Sequence, residues 1–415
     1  MPLSGAAGGR VVIVGAGHGG FQLAASLRQG GYDGEVVLIG DEPGLPYQRP
    51  PLSKDYLMGK IGLDLLLMRP EGFYADQRIE YMSGARVAEI DRSAKQVKLA
   101  VGASLSYDHL VLATGARNRV PPLPGIDLDG VCYLRDLAET DHLRQRLAVA
   151  QGIVVIGAGF IGLEFAACAR AAGKPVHVVE LVDRVMARVI CPVTSLHFLA
   201  AHVKTGVEFT FGAAADRIVG DNGKVTGVAL KDGTILPADL VVVSIGVVPN
   251  TELAAAAGLA TGNGILVDDH LLTEDPAISA IGDCVSFPSV HSRTNPVRLE
   301  AVQNATDHAR CVADRLNGKP HSYTALPWFW SEQGDQRLQI VGLTPGFDRV
   351  VVRGAIESGE FSAFLYAGDA LLGIESINKP ADHAFARRIM AAGRTVTPEQ
   401  AADEGFDLRA AAARA

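Results

Sequence analysis

Three glycines at G-x-G-x-x-G spacing, Gly15, Gly17 and Gly20, follow directly on Val11-Val12-Ile13-Val14. The pattern returns at Gly157, Gly159 and Gly162 after Ile153-Val154-Val155-Ile156. Such glycines offer backbone chemistry. The first permits a tight turn, the second lets the chain approach a pyrophosphate, and the third lets the next helix pack close on the strand. That helix then aims its free N–H groups and its dipole at the phosphates. His18 and Gly19 fill the first motif, Phe160 and Ile161 the second. Each unit continues through a second short apolar strand to an acid able to accept from a ribose hydroxyl: Asp41 or Glu42 in the first, Glu180 in the second. One such motif is a weak signal. Two complete strand–turn–helix–strand–acid units in one chain are specific, and they predict two nucleotide sites.

Other residues stand out by position. Lys54 ends the run Arg49-Pro50-Pro51-Leu52-Ser53-Lys54, whose paired prolines fix backbone angles and remove donors, so a stiff, extended loop is expected. Ser53 is placed to cap a short helix beginning near Lys54. Read locally, Lys54 is a solvated lysine; just after a nucleotide half-site, it reads as a charge held over the cofactor. Asp283 is delivered into a glycine turn at Gly282 by the strand-like run Ala277 to Ile281, which suits the hydroxyls of a polyol. The segment from Leu299 to Ala305, with Val302 inside it, opens a helix to Leu316 whose N-terminal dipole would stabilise negative charge. Trp328-Phe329-Trp330 holds both tryptophans; Trp328 reads as a core residue and Trp330 as an aromatic facing a ring ligand.

Composition removes several classes of function. A formal charge of −8 argues against general nucleic-acid binding. No apolar run approaches the roughly 18 residues of a membrane span, and Met1 to Arg10 is unlike a secretory leader, so a cytoplasmic protein is expected. The five cysteines, Cys132, Cys168, Cys191, Cys284 and Cys311, include no C-x-x-C pair. No zinc site, disulfide framework or redox dithiol is therefore expected.

The elements that must position these residues follow a repeated plan. A buried strand, glycine turn, helix and strand lead to a small meander, at Arg86 to Ile90, Gln96 to Ala100 and Leu105 to Tyr107 in the first half. A final buried strand then returns to a glycine turn, at Ala113-Thr114-Gly115 and again at Ile245-Gly246. The 415 residues thus divide into a discontinuous domain, 1–116 with 249–325, an inserted domain, 117–248, and a C-terminal α+β domain, 326–415. The fold class is α/β: two Rossmann-type domains with parallel sheets, plus the third domain.

With both glycine motifs, Arg49 to Lys54, Ala113-Thr114-Gly115, Gly282-Asp283 and Trp328-Phe329-Trp330-Ser331 in order, the chain resembles the FAD-dependent NADH:ferredoxin reductases of bacterial oxygenase systems, the putidaredoxin-reductase-like group, over essentially its full length. The resemblance implies a glutathione reductase-like fold. It places the FAD pyrophosphate on Gly15, Gly17, His18, Gly19 and Gly20, and the adenosine ribose on Asp41 or Glu42. Arg49, Val87 and Arg135 join the FAD site, the last two on its adenosine side; Ala113, Thr114 and Gly115 belong to it as well. Asp283 would hold the ribityl chain, and the Val302 amide would meet the flavin pyrimidine edge. Lys54 and Glu164 would pair beside the flavin where hydride arrives. Gly157, Gly159, Phe160, Ile161, Gly162, Glu180, Arg188, Ile245 and Gly246 would hold NADH. His18 and Gly19 depart from the small or apolar residues usual there.

The implied activity converts a two-electron hydride from NADH into single electrons for a 2Fe-2S ferredoxin, which feeds a monooxygenase or dioxygenase. Glu180 favours NADH over NADPH, with Arg184 and Arg188 near enough to soften the preference. The partner would dock near Arg310 and the C-terminal domain, with Arg315, Lys319, Arg387 and Arg388 as further basic candidates. A monomer or weak dimer is expected. Alternatives are a rubredoxin reductase and an apoptosis-inducing-factor-like flavoprotein. A disulfide or peroxide reductase is disfavoured, because neither Phe21 to Arg28 nor Arg49 to Lys54 contains cysteine.

Overall fold

The computed structural model describes residues 8–413, so most of the Met1-to-Arg10 segment lies outside the described residues. The chain forms two compact units. Unit 1 comprises the chain up to Gln48, Leu66–Arg117 and Val248–Pro327; unit 2 comprises Arg49–Leu65, Asn118–Val247 and the chain from Trp328.

Unit 1 is built on a five-stranded parallel sheet ordered Ile278–Ala280, His109–Leu112, Val11–Val14, Val36–Ile39, Ile79–Met82. The three central strands, His109–Leu112, Val11–Val14 and Val36–Ile39, are buried at every position, as a sheet covered on both faces demands. The helix His18–Gln29 follows the first glycine turn and buries Phe21, Leu23, Ala24 and Leu27 in the core. An antiparallel meander, Val87–Asp91, Gln96–Leu99 and Ser104–Ser106, is inserted before the return strand.

Unit 2 repeats the plan. Its parallel sheet runs Val207–Thr210, Val176–Val179, Ile153–Ile156, Leu240–Val243, Val131–Cys132. Its meander is Ala215–Asp221, Lys224–Leu230 and Ile235–Pro237. The chain from Trp328 adds a five-stranded antiparallel sheet, ordered Trp328–Gln333, Gln336–Gly342, Ala370–Ile377, Glu360–Ala367, Arg349–Ala355, with the helix Pro380–Ala391 packed on it.

The local expectations need four corrections. Both nucleotide helices begin within their glycine motifs rather than after them, at His18 and Phe160, because Gly17 and Gly159 take extended N-cap angles and the helix starts on the next residue. Pro50–Ser53 is a 3₁₀ turn with proline at its start, not an extended loop; a proline ring's fixed angle suits the first turn of a helix. No helix starts at Lys54, so Ser53 caps nothing. Trp328 is half-buried and not in the core, since Trp328 and Trp330 share one face of their strand while Phe329 turns inward against Phe160 at 4.7 Å.

Candidate active site

In unit 1, Gly15 takes φ +112°, and a Cβ there would lie 2.2 Å from the Ala113 carbonyl oxygen. A Cβ on Gly20 would lie 1.8 Å from the Gly15 oxygen, so only glycine lets the helix sit this close to its strand. Gly17 differs: nothing stands within 4 Å of where its Cβ would be. The helix behind it has no side-chain cap and no acid in its first turn. Leu137–Val149, by contrast, is capped by Asp136, whose carboxylate accepts from the Glu139 N–H at 2.8 Å. An uncapped helix N-terminus facing open space fits a diphosphate.

The Gly282–Cys284 turn meets the same place. Cβ atoms built on Gly19 and Gly282 would each lie 3.5 Å from Ala305, near the start of the helix Val302–Leu316. That helix too has neither a cap nor an acid in its first turn. The Gly282 N–H donates to His308 Nδ1 at 3.2 Å. Burial of this imidazole against Phe287 and Tyr323 pushes it down to about 3, so it accepts as a neutral ring. Gly15 to Gly20, Ala113, Gly282 and Val302 therefore surround one cradle, with Asp283 half-buried beside it. Thr114 Oγ1 donates to the Asn250 carbonyl at 2.7 Å, which ties the return turn to the chain coming back. Glu42 accepts from the Tyr47 hydroxyl, whereas Asp41 is exposed; Val87 lies half-buried on the meander.

The second cradle, in unit 2, has the same geometry. Gly157 takes φ +105° with its would-be Cβ 2.3 Å from the Ser244 oxygen, Gly162 comes as close to Gly157, and Gly159 opens onto space. Phe160–Ala171 is uncapped, with no acid in its first turn. Glu180 is less free than its spacing implies: Oε2 accepts from the Ala158 N–H at 2.7 Å and Oε1 from the Val182 N–H at 3.1 Å. Arg184 donates to the Ile190 and Ala187 carbonyls and so folds into its own loop. Arg188 is exposed, with Nη2 3.3 Å from the would-be Cβ of Gly246 in the Ile245-Gly246 turn.

Lys54 and Glu164, 110 residues apart, meet at 2.6 Å, with 18% and 3% of their side chains exposed. The Ser53 hydroxyl, expected to cap a helix, donates to the same carboxylate oxygen. Ser331 Oγ donates to the other at 2.7 Å. Neither serine contact was visible from spacing, although both residues stand in the runs that carry the resemblance. Arg49 Nη1 donates to the Arg135 carbonyl at 2.8 Å. Trp328 and Trp330, 5.6 Å apart, line a cleft of about 320 Å³ with Arg337, Gln339, His383 and Arg387. Burial pushes the thiols of Cys132, Cys168, Cys191 and Cys311 up to about 11, and raises that of Cys284 as well. Among the described residues no cluster could hold a metal ion, and no helix is long and apolar enough to cross a membrane.

Residues 9–309 match the pyridine nucleotide-disulphide oxidoreductase family, and residues 328–412 match the reductase C-terminal family. Rhodocoxin reductase of Rhodococcus erythropolis is 50% identical over 404 residues, 97% of this chain and 94% of that one. The ferredoxin reductase for the CYP199A2 system from Rhodopseudomonas palustris is 56% identical, with a TM-score of 0.95 over 97% of this chain and 99% of that one. The reductase in the covalent putidaredoxin reductase–putidaredoxin complex is 40% identical, with a TM-score of 0.95 over 98% and 99%. Two glycine cradles on parallel sheets, an antiparallel C-terminal sheet and these matches together lead to one conclusion: the chain belongs to the pyridine nucleotide-disulphide oxidoreductase family, in its putidaredoxin-reductase-like group.

Proposed function

We propose that this protein is a cytoplasmic flavoprotein reductase that passes electrons from NADH, through bound FAD, to a 2Fe-2S ferredoxin serving a monooxygenase or dioxygenase. The observation that carries the reading is the pair of uncapped helix N-termini behind Gly17 and Gly159, each opening onto space that a Cβ would enter. Bound FAD supplies the exchange of one hydride for two single electrons. The chain's own residues bind and orient. Gly15 to Gly20, Asp41, Ala113 to Gly115, Gly282-Asp283 and Val302 hold FAD in unit 1. Gly157 to Gly162, Glu180, Arg188 and Ile245-Gly246 hold NADH in unit 2, where Lys54 and Glu164 orient the nicotinamide. No thiol takes part, because burial keeps all five protonated.

The ferredoxin partner is met by exposed arginines. Arg310 in unit 1 is exposed and pairs locally with Asp307 at 2.7 Å. In unit 2, Arg387 lies over the Trp328 ring at 5.2 Å beside exposed Arg388. Arg315 is withdrawn from this role, since it turns inward, donating to Ser279 Oγ at 2.5 Å. At a net charge of −8, attraction to an acidic partner must be local.

The test is stopped-flow. NADH should bleach the flavin rapidly, and a 2Fe-2S ferredoxin should reoxidise it faster than a rubredoxin does. Salt should slow the ferredoxin step while ferricyanide reduction changes little, and Arg387→Glu should raise the ferredoxin KM without altering NADH kinetics. Slow bleaching with a long-lived charge-transfer complex would instead favour a signalling flavoprotein. Faster reoxidation by rubredoxin would make that the partner.

A further inference from the structure

We infer that Ser331, with Gln333 behind it, is a positioning residue for Glu164, and through Glu164 for the nicotinamide; the inference rests on the reading of Lys54–Glu164 given above. Ser331, Gln333 and Glu164 are each no more than 5% exposed, as is His202 behind them. Ser331 Oγ donates to Glu164 Oε1 at 2.7 Å, and Gln333 Nε2 donates to Ser331 Oγ at 3.2 Å and to Met186 Sδ at 3.4 Å. Gln333 Oε1 and His202 Nε2 are 2.8 Å apart. Burying so many polar groups is costly unless each is paired, and apolar side chains would fill the same space without that cost.

The direction of every bond is determined. A carboxylate only accepts, so the Ser331 hydroxyl spends its proton on Glu164 and must accept from the Gln333 amide. That turns Gln333 Oε1 toward His202, which donates from Nε2; burial lowers its pKa and keeps the ring neutral. Both oxygens of Glu164 are then held: Oε1 by Ser331, Oε2 by Lys54 and Ser53. The carboxylate cannot rotate away from Lys54. The relay also reaches the second glycine cradle, because Met186, at φ +51°, donates its N–H to the Ala158 carbonyl at 2.9 Å.

Ser331 and Trp330 are neighbours on opposite faces of one strand. The strand that presents Trp330 outward therefore grips Glu164 inward.

The experiment compares Ser331→Ala, Ser331→Thr, Gln333→Leu and Glu164→Gln in the FAD-loaded protein. It measures NAD+ affinity by calorimetry, flavin reduction by NADH in stopped flow, reoxidation by ferredoxin, and thermal melting. Ser331→Ala should slow reduction about tenfold, the scale of a small misplacement of a reacting group, and should weaken NAD+ binding. Ser331→Thr, which keeps the hydroxyl, should restore both to within about twofold, a difference well under the 1.4 kcal/mol that a tenfold change represents. Ferredoxin reoxidation should not change. If Ser331→Ala fails to fold, Gln333→Leu must show the same pattern in weaker form. Wild-type reduction and NAD+ affinity in Ser331→Ala, or a Thr variant no better than Ala, overturns the assignment. Glu164→Gln separates the two failures. If it too reduces at the wild-type rate, the reading of the ion pair falls; if it is slow and Ser331→Ala is not, only the role of Ser331 falls.

Discussion

Lys54 and Glu164 form a nearly dry ion pair whose carboxylate keeps two hydroxyl partners when the ammonium is removed. Breaking such a pair from one side leaves an uncompensated buried charge. Lys54→Met should therefore cost about 3 kcal/mol by urea unfolding, and Lys54→Met with Glu164→Gln should recover much of that loss. A second prediction concerns coenzyme choice. Glu180 holds the Ala158 and Val182 N–H groups, so Glu180→Ala would disturb the turn as well as the proposed ribose contact. Glu180→Gln keeps one of the two acceptors that the turn uses and removes the charge that would repel a 2′-phosphate at the proposed site. Its ratio of kcat/KM for NADH over NADPH should fall about tenfold, equivalent to about 1.4 kcal/mol. Arg184 donates from both its terminal nitrogens to carbonyls of its own loop, whereas Arg188 is exposed. An unchanged ratio would remove Glu180 from the specificity site.

The glycine turns separate two element-scale roles that one motif usually merges. Gly20 is structural: a methyl there would strike the Gly15 carbonyl and push the helix off the sheet. Gly17 has room for a methyl within the protein, so the protein itself does not demand glycine there; the proposed FAD pyrophosphate would. Gly20→Ala should lower the melting temperature with or without FAD. Gly17→Ala should leave the FAD-free protein's melting temperature within a degree or two, since substitutions away from strain and packing stay within about 0.5 kcal/mol, but it should raise the FAD dissociation constant about tenfold or more, equivalent to at least about 1.4 kcal/mol. Equal FAD affinity in Gly17→Ala and wild type would move the pyrophosphate off this turn.

Across the whole molecule, buried histidines set the acid side of stability. Burial pushes His109 and His308 down to about 3 and His383 to about 4, and it lowers His202 too. The unfolded chain takes up these protons near pH 6.5, well before the folded protein does. The histidines' contribution to stability is therefore fully present above about pH 6.5 and declines as the pH falls toward the folded values, by at most about 1.4 kcal/mol per pH unit for each histidine. Urea midpoints should fall between about pH 6.5 and 5, above the ordinary carboxylate range. His308→Phe should reduce that slope by one histidine's share, whatever it does to stability itself. A slope identical to wild type would mean that His308 is protonated in the folded protein.

Much of this was legible because its signals are local. Val11 to Gly20 and Ile153 to Gly162 each carry strand, turn and helix start within ten residues, and an apolar run ending in glycine has few other uses in a chain of this composition. The return strands at His109–Leu112 and Leu240–Val243 are further short apolar runs, buried at every position, and were legible in the same local way. The resemblance of the ordered motifs added the pairing of Lys54 with Glu164, which no spacing argument reaches. What only the tertiary structure decided depends on partners far away in sequence. Ser53 gives its hydroxyl to Glu164, 111 residues on, and so is no helix cap. Arg315 points inward because Ser279 lies beneath it, which a helical spacing of charges cannot reveal. Trp328 stays half-exposed because strand alternation sends Phe329 to the core instead. Ser331, Gln333 and His202 are ordinary polar residues in sequence. They become a relay only when a strand of the C-terminal sheet lies along the helix that carries Glu164, because a hydrogen bond needs its two atoms within about 3 Å and the fold alone brings them there.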